Sequence, residues 1–480
     1  MRHSFFAGCW RKVLCLPLLL GGCAQLPPEL PPRPTMAMPS TQASLAALMK
    51  NPPPSVSPAD TRFWWQVFHE PELDALIGAA LRQQPDMDAA QARLTAALQA
   101  ERLARLATGL QYSTDVSVNR ERLSDNGLFP TALVGKMYTQ TDITQSVAVD
   151  LDLWGKRRSL LRAARSEQLA AQDEQAAVRL SLSAAVADAY FSWAGACRLR
   201  EQAGGLLAQH RQMLTLAEQR HRLGLEAAAP VVEARRRLSL DEERVKQYDY
   251  LAVSARYRLA ALTGADPDHA ADMKEPRLAS HLPPLPERLS LDWLARRPDI
   301  ASLGNRIEAA SERSEAARAA FYPDIDLRLL AGFDTLDAGK LFDAGSVAGG
   351  LGAAVHLPLF NQRTLQAQLG LREAEYAAAV AAYNKAILEG ARQAADAQSL
   401  NLNLEARASS QASANAEVQQ LHKLAALRYR MGLSGPMETL NAESVELTQQ
   451  MAETELQTSR LRARVALYRA LGGAGIEESR

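Results

Sequence analysis

Histidine and cysteine are the residue types most able to supply catalysis or metal binding, and the sequence contains eight histidines and four cysteines. The histidines are scattered, and none occurs in the HExxH spacing that places two imidazoles on one helix face to bind zinc. The sequence also lacks the GxSxG turn of a serine hydrolase and the glycine loop that binds nucleotide phosphates. We therefore expect no enzymatic activity and no cofactor.

The cysteine with the most informative surroundings is Cys23. Three basic residues begin the chain, the apolar stretch 13–20 follows, and Gly21 and Gly22 directly precede Cys23. This order is typical of a secretory signal, and the apolar stretch is too short to span a membrane. The two glycines resemble a bacterial lipobox, so we expect removal of residues 1–22 and acylation of Cys23 by diacylglycerol and palmitate. An ordinary signal peptide with an incidental cysteine is the alternative.

Charge and the remaining cysteine narrow the function classes. Without the signal, the chain has 51 Lys and Arg residues and 54 Asp and Glu residues. This nearly even charge balance argues against a nucleic-acid partner. Cys197 would have no partner for an internal disulfide, and its small neighbours predict a packing role. No later run approaches the roughly 18 apolar residues that a transmembrane helix needs.

The two halves of the chain carry the same pattern. Gly224 returns as Gly432 and Gly264 as Gly472, the same offset of 208 residues in both cases. This period is far longer than the roughly 20–50 residues of solenoid repeats, so it indicates a two-fold duplication of a large unit. The predicted organisation is a signal (1–22), an acylated proline-rich leader (23–60), a first repeat (61–264), a linker (265–290), a second repeat (291–474) and a tail (475–480).

Helical segments dominate each repeat. A first helical region begins near Trp64 and runs to Leu106. The segments 155–223 and 364–431 contain no proline and consist mainly of strong helix formers, so each predicts one helix of roughly 100 Å at 1.5 Å per residue. Such lengths indicate coiled-coil packing or the wall of a tube. Shorter return helices are predicted at about 231–264 and 437–471.

Four segments instead alternate with a period of two. Val147, Val149 and Leu151, for example, alternate with small or acidic residues. This is the pattern of a sheet with one apolar and one polar face, in contact with either lipid or a soluble core. Four strands cannot close a membrane barrel, whereas two chains supply eight strands and three supply twelve. The predicted strands are about 111–120, 140–153, 324–333 and 347–359.

Several motifs together make the sequence similar to the TolC/OprM superfamily, and most to its NodT-type branch of outer-membrane efflux lipoproteins. This resemblance implies a mainly α protein with membrane β: a homotrimer with a twelve-stranded β-barrel, four strands per chain, continuous with a long periplasmic α-helical tunnel. The motifs are Cys23, the pair Trp64-Trp65, the strand-to-helix junction at Trp154-Gly155, the turns Gly224-Leu225 and Gly432-Leu433, and Phe321-Tyr322-Pro323.

The resemblance also implies a gate. Gly224 and Gly432 would occupy the periplasmic tips of two helical hairpins, and acidic rings narrow the channel six and nine residues after the second glycine, here Glu438 and Asn441. Because only one of these two positions holds a carboxylate, we expect the channel to have a weak preference for cations. Glu438 could equally be an acid that stabilises a helix N-terminus.

Tyr429 matches a tyrosine that locks the closed tip in some relatives. The acidic partner of that tyrosine falls on Pro230, whose side chain cannot accept the hydrogen bond. We therefore place Tyr429 at the gate but do not expect the same lock.

By the same resemblance the chain is the passive exit duct of a tripartite efflux system in the bacterial outer membrane. It would contact outer-membrane lipid, a periplasmic adaptor and an inner-membrane transporter of the RND or MFS type. The alternatives are the outer-membrane duct of a type I protein secretion system, a lipid-anchored periplasmic adaptor and a lipid-anchored enzyme. The two-fold repeat argues against the adaptor.

Overall fold

The computed structural model of the chain describes residues 33–36, 58–122, 124, 126, 135–285 and 292–473. Cys23, the predicted signal 1–22 and the predicted tail 475–480 lie outside these residues, as does most of the predicted leader. Among the helices of the described residues, none is both long enough and apolar enough to cross a membrane.

The described residues are mostly helical. A 3₁₀ segment, Pro58–Phe68, precedes the first α-helix. The helices are α1 (Pro71–Gln83), α2 (Pro85–Ala107), α3 (Lys156–Arg222), α4 (Ala228–Leu262), α5 (Pro267–Ala270), α6 (Asp292–Arg296), α7 (Pro298–Ala319), α8 (Gln362–Arg430) and α9 (Pro436–Ala470). The strands are β1 (Gln111–Arg122), β2 (Met137–Asp150), β3 (Asp324–Thr335) and β4 (Val347–His356).

The two long helices contain 67 residues (α3) and 69 residues (α8), and their ends lie within two residues of the predicted ones. The first helical region is not continuous, because it breaks at His69 and again at Gln84. His69 has a positive φ of 54°. Gln84 is extended, with φ −79° and ψ 126°, because the ring of Pro85 disfavours a helical conformation in the preceding residue.

The four strands form one antiparallel sheet in the order β1-β2-β3-β4. The central pairing of β2 with β3 joins the two repeats, and β1 and β4 are the edges. The strand ends differ from the prediction by two or three residues: β1 and β3 end later, at Arg122 and Thr335, whereas β2 and β4 end earlier, at Asp150 and His356. After β2, the residue Asp152 has φ 42°, which turns the chain toward α3 although the apolar alternation continues.

The register separates the two faces of the sheet. One row of paired residues runs Val116, Ile143, Phe333 and Val347. The adjacent row on the opposite face contains Ser117, Asp142 and Asp334. The apolar face is exposed: Val116 is 66% exposed and Leu351 80%. The sheet is therefore not folded over a core of its own chain, which was the soluble alternative left open by the sequence.

The chain divides into two compact units. Of the described residues, the first unit contains all four strands and includes those at 33–36, within Arg93–Gln172 and within Ser302–Tyr383; the second includes those at 58–92, within Asp173–Ala301 and at 384–473.

In the second unit, the pair Trp64-Trp65 belongs to the main core. Trp64 stacks on Tyr468 with ring centroids 5.7 Å apart, and its Nε1 donates to Ser183 Oγ at 3.0 Å.

Candidate functional site

Two glycine turns close the helical hairpins, and their geometry is nearly identical. Between α3 and α4, Gly224 has φ 72°, and Leu225 N donates to Arg220 O at 2.9 Å. Between α8 and α9, Gly432 has φ 71°, and the N–H of the next residue donates to Arg428 O at 2.9 Å. This is the Schellman ending of a helix, in which glycine takes the left-handed conformation. Both predicted turn glycines thus meet a conformational need that other residues meet poorly.

The charges around the two turns differ between the repeats. Arg220 Nε pairs with Glu226 Oε2 at 3.0 Å in the first hairpin. Its repeat equivalent Arg428 lies with Nε 3.5 Å from Glu438 Oε1 in the second. At the offset of 208 residues, the counterpart of Glu438 is Pro230. The arginine is therefore common to both hairpins, whereas the carboxylate has changed position.

The predicted gate residues occupy different surroundings. Glu438 lies in the first turn of α9, where its backbone N–H donates to Gly435 O at 3.2 Å, and its side chain pairs with Arg428. Asn441 lines a cavity of about 200 Å³ together with Pro230 of the first hairpin. Tyr429 is half-exposed beside the turn. Helix-dipole stabilisation and an ion pair thus both act on Glu438.

Sequence reasoning did not single out a buried network above the first turn. His210 Nδ1 on α3 hydrogen-bonds Oδ2 of Asp241 on α4, and Arg244 Nη1 lies 3.4 Å from the second oxygen of that carboxylate. Asp241 is only 4% exposed, so its charge needs these partners. The preceding residue of α3, Gln209, donates from Nε2 to Glu443 Oε2 of α9 at 2.8 Å and links the two hairpins. The only sequence signal was a carboxylate in the middle of a helix.

The predicted strand-to-helix junction forms a second cluster. Between β2 and α3, the side chain of Asp152 accepts from the backbone N–H groups of Arg157 and Arg158 at 2.9 and 3.0 Å. These bonds satisfy donors that a helix N-terminus leaves without an intrahelical partner. Gly155, with φ 76°, completes the turn.

The aromatic side chain of the junction connects the two repeats. The indole of Trp154 stacks on Tyr322 with ring centroids 4.6 Å apart, and its Nε1 donates to Pro323 O at 2.9 Å. Lys156 Nζ pairs with Asp324 Oδ2 at 3.1 Å beside them. The two sequence motifs Trp154-Gly155 and Phe321-Tyr322-Pro323 are therefore parts of one contact.

A third cluster involves the described part of the leader. Arg33 Nη2 lies 3.0 Å from Glu315 Oε1 and 3.3 Å from Glu373 Oε1, and its guanidinium lies 5.2 Å from the ring centroid of Tyr376. Burial opposes the charge of Glu373, but hydrogen bonds from Ser314, Arg318 and Arg33 outweigh it and lower the pKa of that carboxyl below its usual value.

The exposed apolar sheet, the long hairpins and the duplicated chain define the class of outer-membrane channel proteins, and comparison with known proteins agrees. A family model described as outer membrane efflux protein matches residues 76–265 and 289–473. The chain therefore belongs to the outer membrane efflux protein family.

Individual relatives span nearly the whole chain. The toluene efflux pump outer membrane protein TtgF of Pseudomonas putida is 30% identical over 463 residues, which cover 96% of this chain and 96% of that protein. The multidrug resistance outer membrane protein MdtP of Shigella flexneri is 29% identical over 422 residues, covering 85% of this chain and 86% of that protein. The crystal structure of the outer membrane protein VceC of Vibrio cholerae has a TM-score of 0.78 and 31% identity, covering 88% of this chain and 100% of that chain. The fold class predicted from the sequence is confirmed.

Proposed function

We propose that the chain is the outer-membrane exit duct of a tripartite efflux system, through which small toxic compounds expelled by an inner-membrane pump leave the cell. The observation that carries this proposal is the exposed apolar face of an open four-stranded sheet. The names of relatives that serve toluene efflux and multidrug resistance support the cargo class. An inner-membrane transporter of the RND or MFS type would supply the energy for transport, and a periplasmic adaptor would connect it to this chain. The chain itself would be a passive conduit.

The number of copies follows from closure of the sheet. Lipid tolerates no unpaired strand edge, so β1 of one copy must pair with β4 of the next. Two copies would supply eight strands, and a barrel of that size has an interior that side chains largely fill. Three copies supply twelve strands and leave a lumen lined by the polar face that contains Asp142 and Asp334. A homotrimer is therefore the smallest assembly that forms a duct.

The hairpin turns at Gly224 and Gly432 would then form the periplasmic end of the tunnel. Three copies of Glu438 would surround the axis as a ring that attracts cations. The adjacent Arg428, with Nε 3.5 Å from the carboxylate, weakens that attraction, and the neutral Asn441 adds no second carboxylate ring. The expected cation preference is accordingly modest.

We also infer that Cys23 carries the lipid anchor. The lipobox-like order Gly21-Gly22-Cys23 supports this inference, and the contact of Arg33 with Glu315 and Glu373 would hold the leader, ten residues after Cys23, against α7 and α8. Ten extended residues reach at most about 36 Å, so the acyl chains would insert close to the barrel. Labelling cells with radioactive palmitate tests the anchor: wild type should incorporate label and Cys23→Ala should not. Equal labelling of both would remove Cys23 as the acylation site.

The duct is tested with two neighbouring positions of β2 that lie on opposite faces of the sheet. In a strain lacking the gene, we compare Ile143→Arg on the apolar face with Thr144→Arg on the polar face, both near the middle of the sheet. An arginine at the lipid midplane costs about 2–4 kcal/mol per copy, so Ile143→Arg should lose the heat-dissociable trimer and resistance to dyes and solvents. Thr144→Arg should retain the trimer.

Equal behaviour of the two variants, or purification of the wild type as a water-soluble single chain, would refute the proposal. Restoration of the export of one polypeptide, without any change in drug resistance, would instead identify a protein secretion duct.

A further inference from the structure

A cavity of about 200 Å³ lies within the second unit, next to the hairpin turns. Its wall includes His210 and Met213 of α3, one helical turn apart on the same face, and Met437 in the first turn of α9. Met213 is only 6% exposed. An imidazole and two thioethers from different hairpins therefore line one small space.

The hydrogen bond of His210 determines which ring nitrogen is available to a ligand. Nδ1 is engaged by the buried carboxylate of Asp241, so Nε2 is the atom left for the cavity. A carboxylate bound to one imidazole nitrogen is the arrangement that orients metal-binding histidines and increases the basicity of the other nitrogen. Asp241 would thus act as a positioning residue.

The carboxylates of the wall are already paired with arginines. Glu226 pairs with Arg220 at 3.0 Å, and Glu233 pairs with both Arg236 and Arg237. Hydrogen bonds from these last two arginines lower the pKa of Glu233 to about 2. Across the part of the chain that the structure describes, no three His, Cys, Asp or Glu residues are grouped to hold a metal ion. A hard divalent cation therefore lacks a donor set here.

Thioether sulfur and imidazole nitrogen are instead the donors that soft monovalent ions prefer. We propose that this cavity binds Cu(I) or Ag(I) through His210 Nε2 and the sulfur atoms of Met213 and Met437. The bound ion would connect α3 of the first hairpin to α9 of the second. Because Met437 directly precedes Glu438, occupancy would also restrain the helix that carries the proposed gate.

The test is Ag⁺ binding to the detergent-purified full-length chain, measured by titration calorimetry in chloride-free nitrate buffer. Wild type should bind one tight Ag⁺ per chain. Replacing both sulfurs in Met213→Leu/Met437→Leu conserves side-chain volume, so the fold should persist while the tight site disappears. The affinity for Ag⁺ should fall by more than the roughly tenfold loss expected when only a residue that orients a ligand is changed.

Two matched controls address the other sulfur atoms. Met451→Leu changes a methionine that is equally buried but packs in a separate cluster with Leu199 and Leu206, and it should bind Ag⁺ as wild type does. Cys197→Ser should also bind normally, because that thiol is only 7% exposed and packs in the main core, which contains none of the three proposed ligands.

Three results would overturn the site: no tight Ag⁺ in wild type, unchanged binding by Met213→Leu/Met437→Leu, or loss of binding in Cys197→Ser. The measurement requires no transport, so its failure is distinguishable from failure of the efflux proposal.

Discussion

The indole of Trp154 stacks on the ring of Tyr322, with centroids 4.6 Å apart and planes inclined by 22°, although the two residues belong to different repeats. The same indole donates to Pro323 O at 2.9 Å. The end of β2 is thereby held to the beginning of β3 where the sheet gives way to helices. Phe360 occupies the corresponding place after β4, but its side chain is 98% exposed, against 50% for Trp154.

Trp154→Ala should therefore destabilise the junction. Loss of the ring contact and the hydrogen bond together costs about 1–3 kcal/mol, which should lower the temperature at which the trimer dissociates. Trp154→Phe keeps a ring without the donor and should give an intermediate value. Phe360→Ala is the matched control and should change the dissociation temperature little. Similar losses for Trp154→Ala and Phe360→Ala would show that the stacking on Tyr322 contributes nothing specific.

Arg428→Ala should increase the cation preference of single channels, because it removes the positive partner of Glu438. Glu438→Gln should decrease that preference because it leaves Arg428 unpaired, and Arg428→Ala/Glu438→Gln, which removes both charges, should lie between the two single variants. Asn441→Asp, which restores a second carboxylate position, should increase the preference further. Reversal potentials across planar bilayers under a KCl gradient provide the measurement. If Arg428→Ala left the reversal potential unchanged, the ion pair would have no role in selectivity.

Gly432→Ala should destabilise the second hairpin by about 1–2 kcal/mol, because φ is 71° and an alanine Cβ crowds the following carbonyl in that conformation. Gly435→Ala is the control within the same turn: φ is −85° there, and an added Cβ would meet no atom within 4 Å. Limited proteolysis of the turn and thermal unfolding should both rank Gly432→Ala as the less stable. Identical proteolysis rates would contradict the left-handed conformation at Gly432.

Acid should release the leader from α7 and α8. The pKa of Glu373 is lowered in the folded chain, so its ionised form adds stability that is fully present above the usual value of 4.5. That stability is lost as the pH falls through the lowered value. Hydrogen exchange in a peptide containing residues 33–36 should keep its protection down to pH 4.5 and lose it progressively at lower pH, after correction for intrinsic rates.

Glu373→Gln should show weak protection that no longer depends on pH, and Glu375→Gln, an exposed neighbour on α8, should behave as wild type. Protection of residues 33–36 that does not decrease at all as the pH falls below 4.5 in the wild type would contradict a role of Glu373 in holding Arg33.

Local periodicity was sufficient to predict the elements themselves. The ends of α3 and α8 fall within two residues of the predicted ones, because proline-free runs of strong helix formers leave no competing local structure. Alternation also located all four strands, but it placed the ends of β2 and β4 three residues too late. Leu151 and Leu153 continue the apolar pattern while the backbone at Asp152 has already turned toward α3. A pattern of side chains cannot reveal that the backbone has turned.

The partners of these elements were decided only by the tertiary structure. Offset and spacing identified Gly224 and Gly432 as turns, since a left-handed helix ending requires glycine locally. Nothing local required Trp154 to meet Tyr322, Arg428 to meet Glu438 or His210 to meet Asp241. These contacts depend on how helices and strands distant in sequence pack together, and the free energy of that packing is a property of the whole chain. Residue types therefore determined what each segment becomes, and the fold decided which side chains act together.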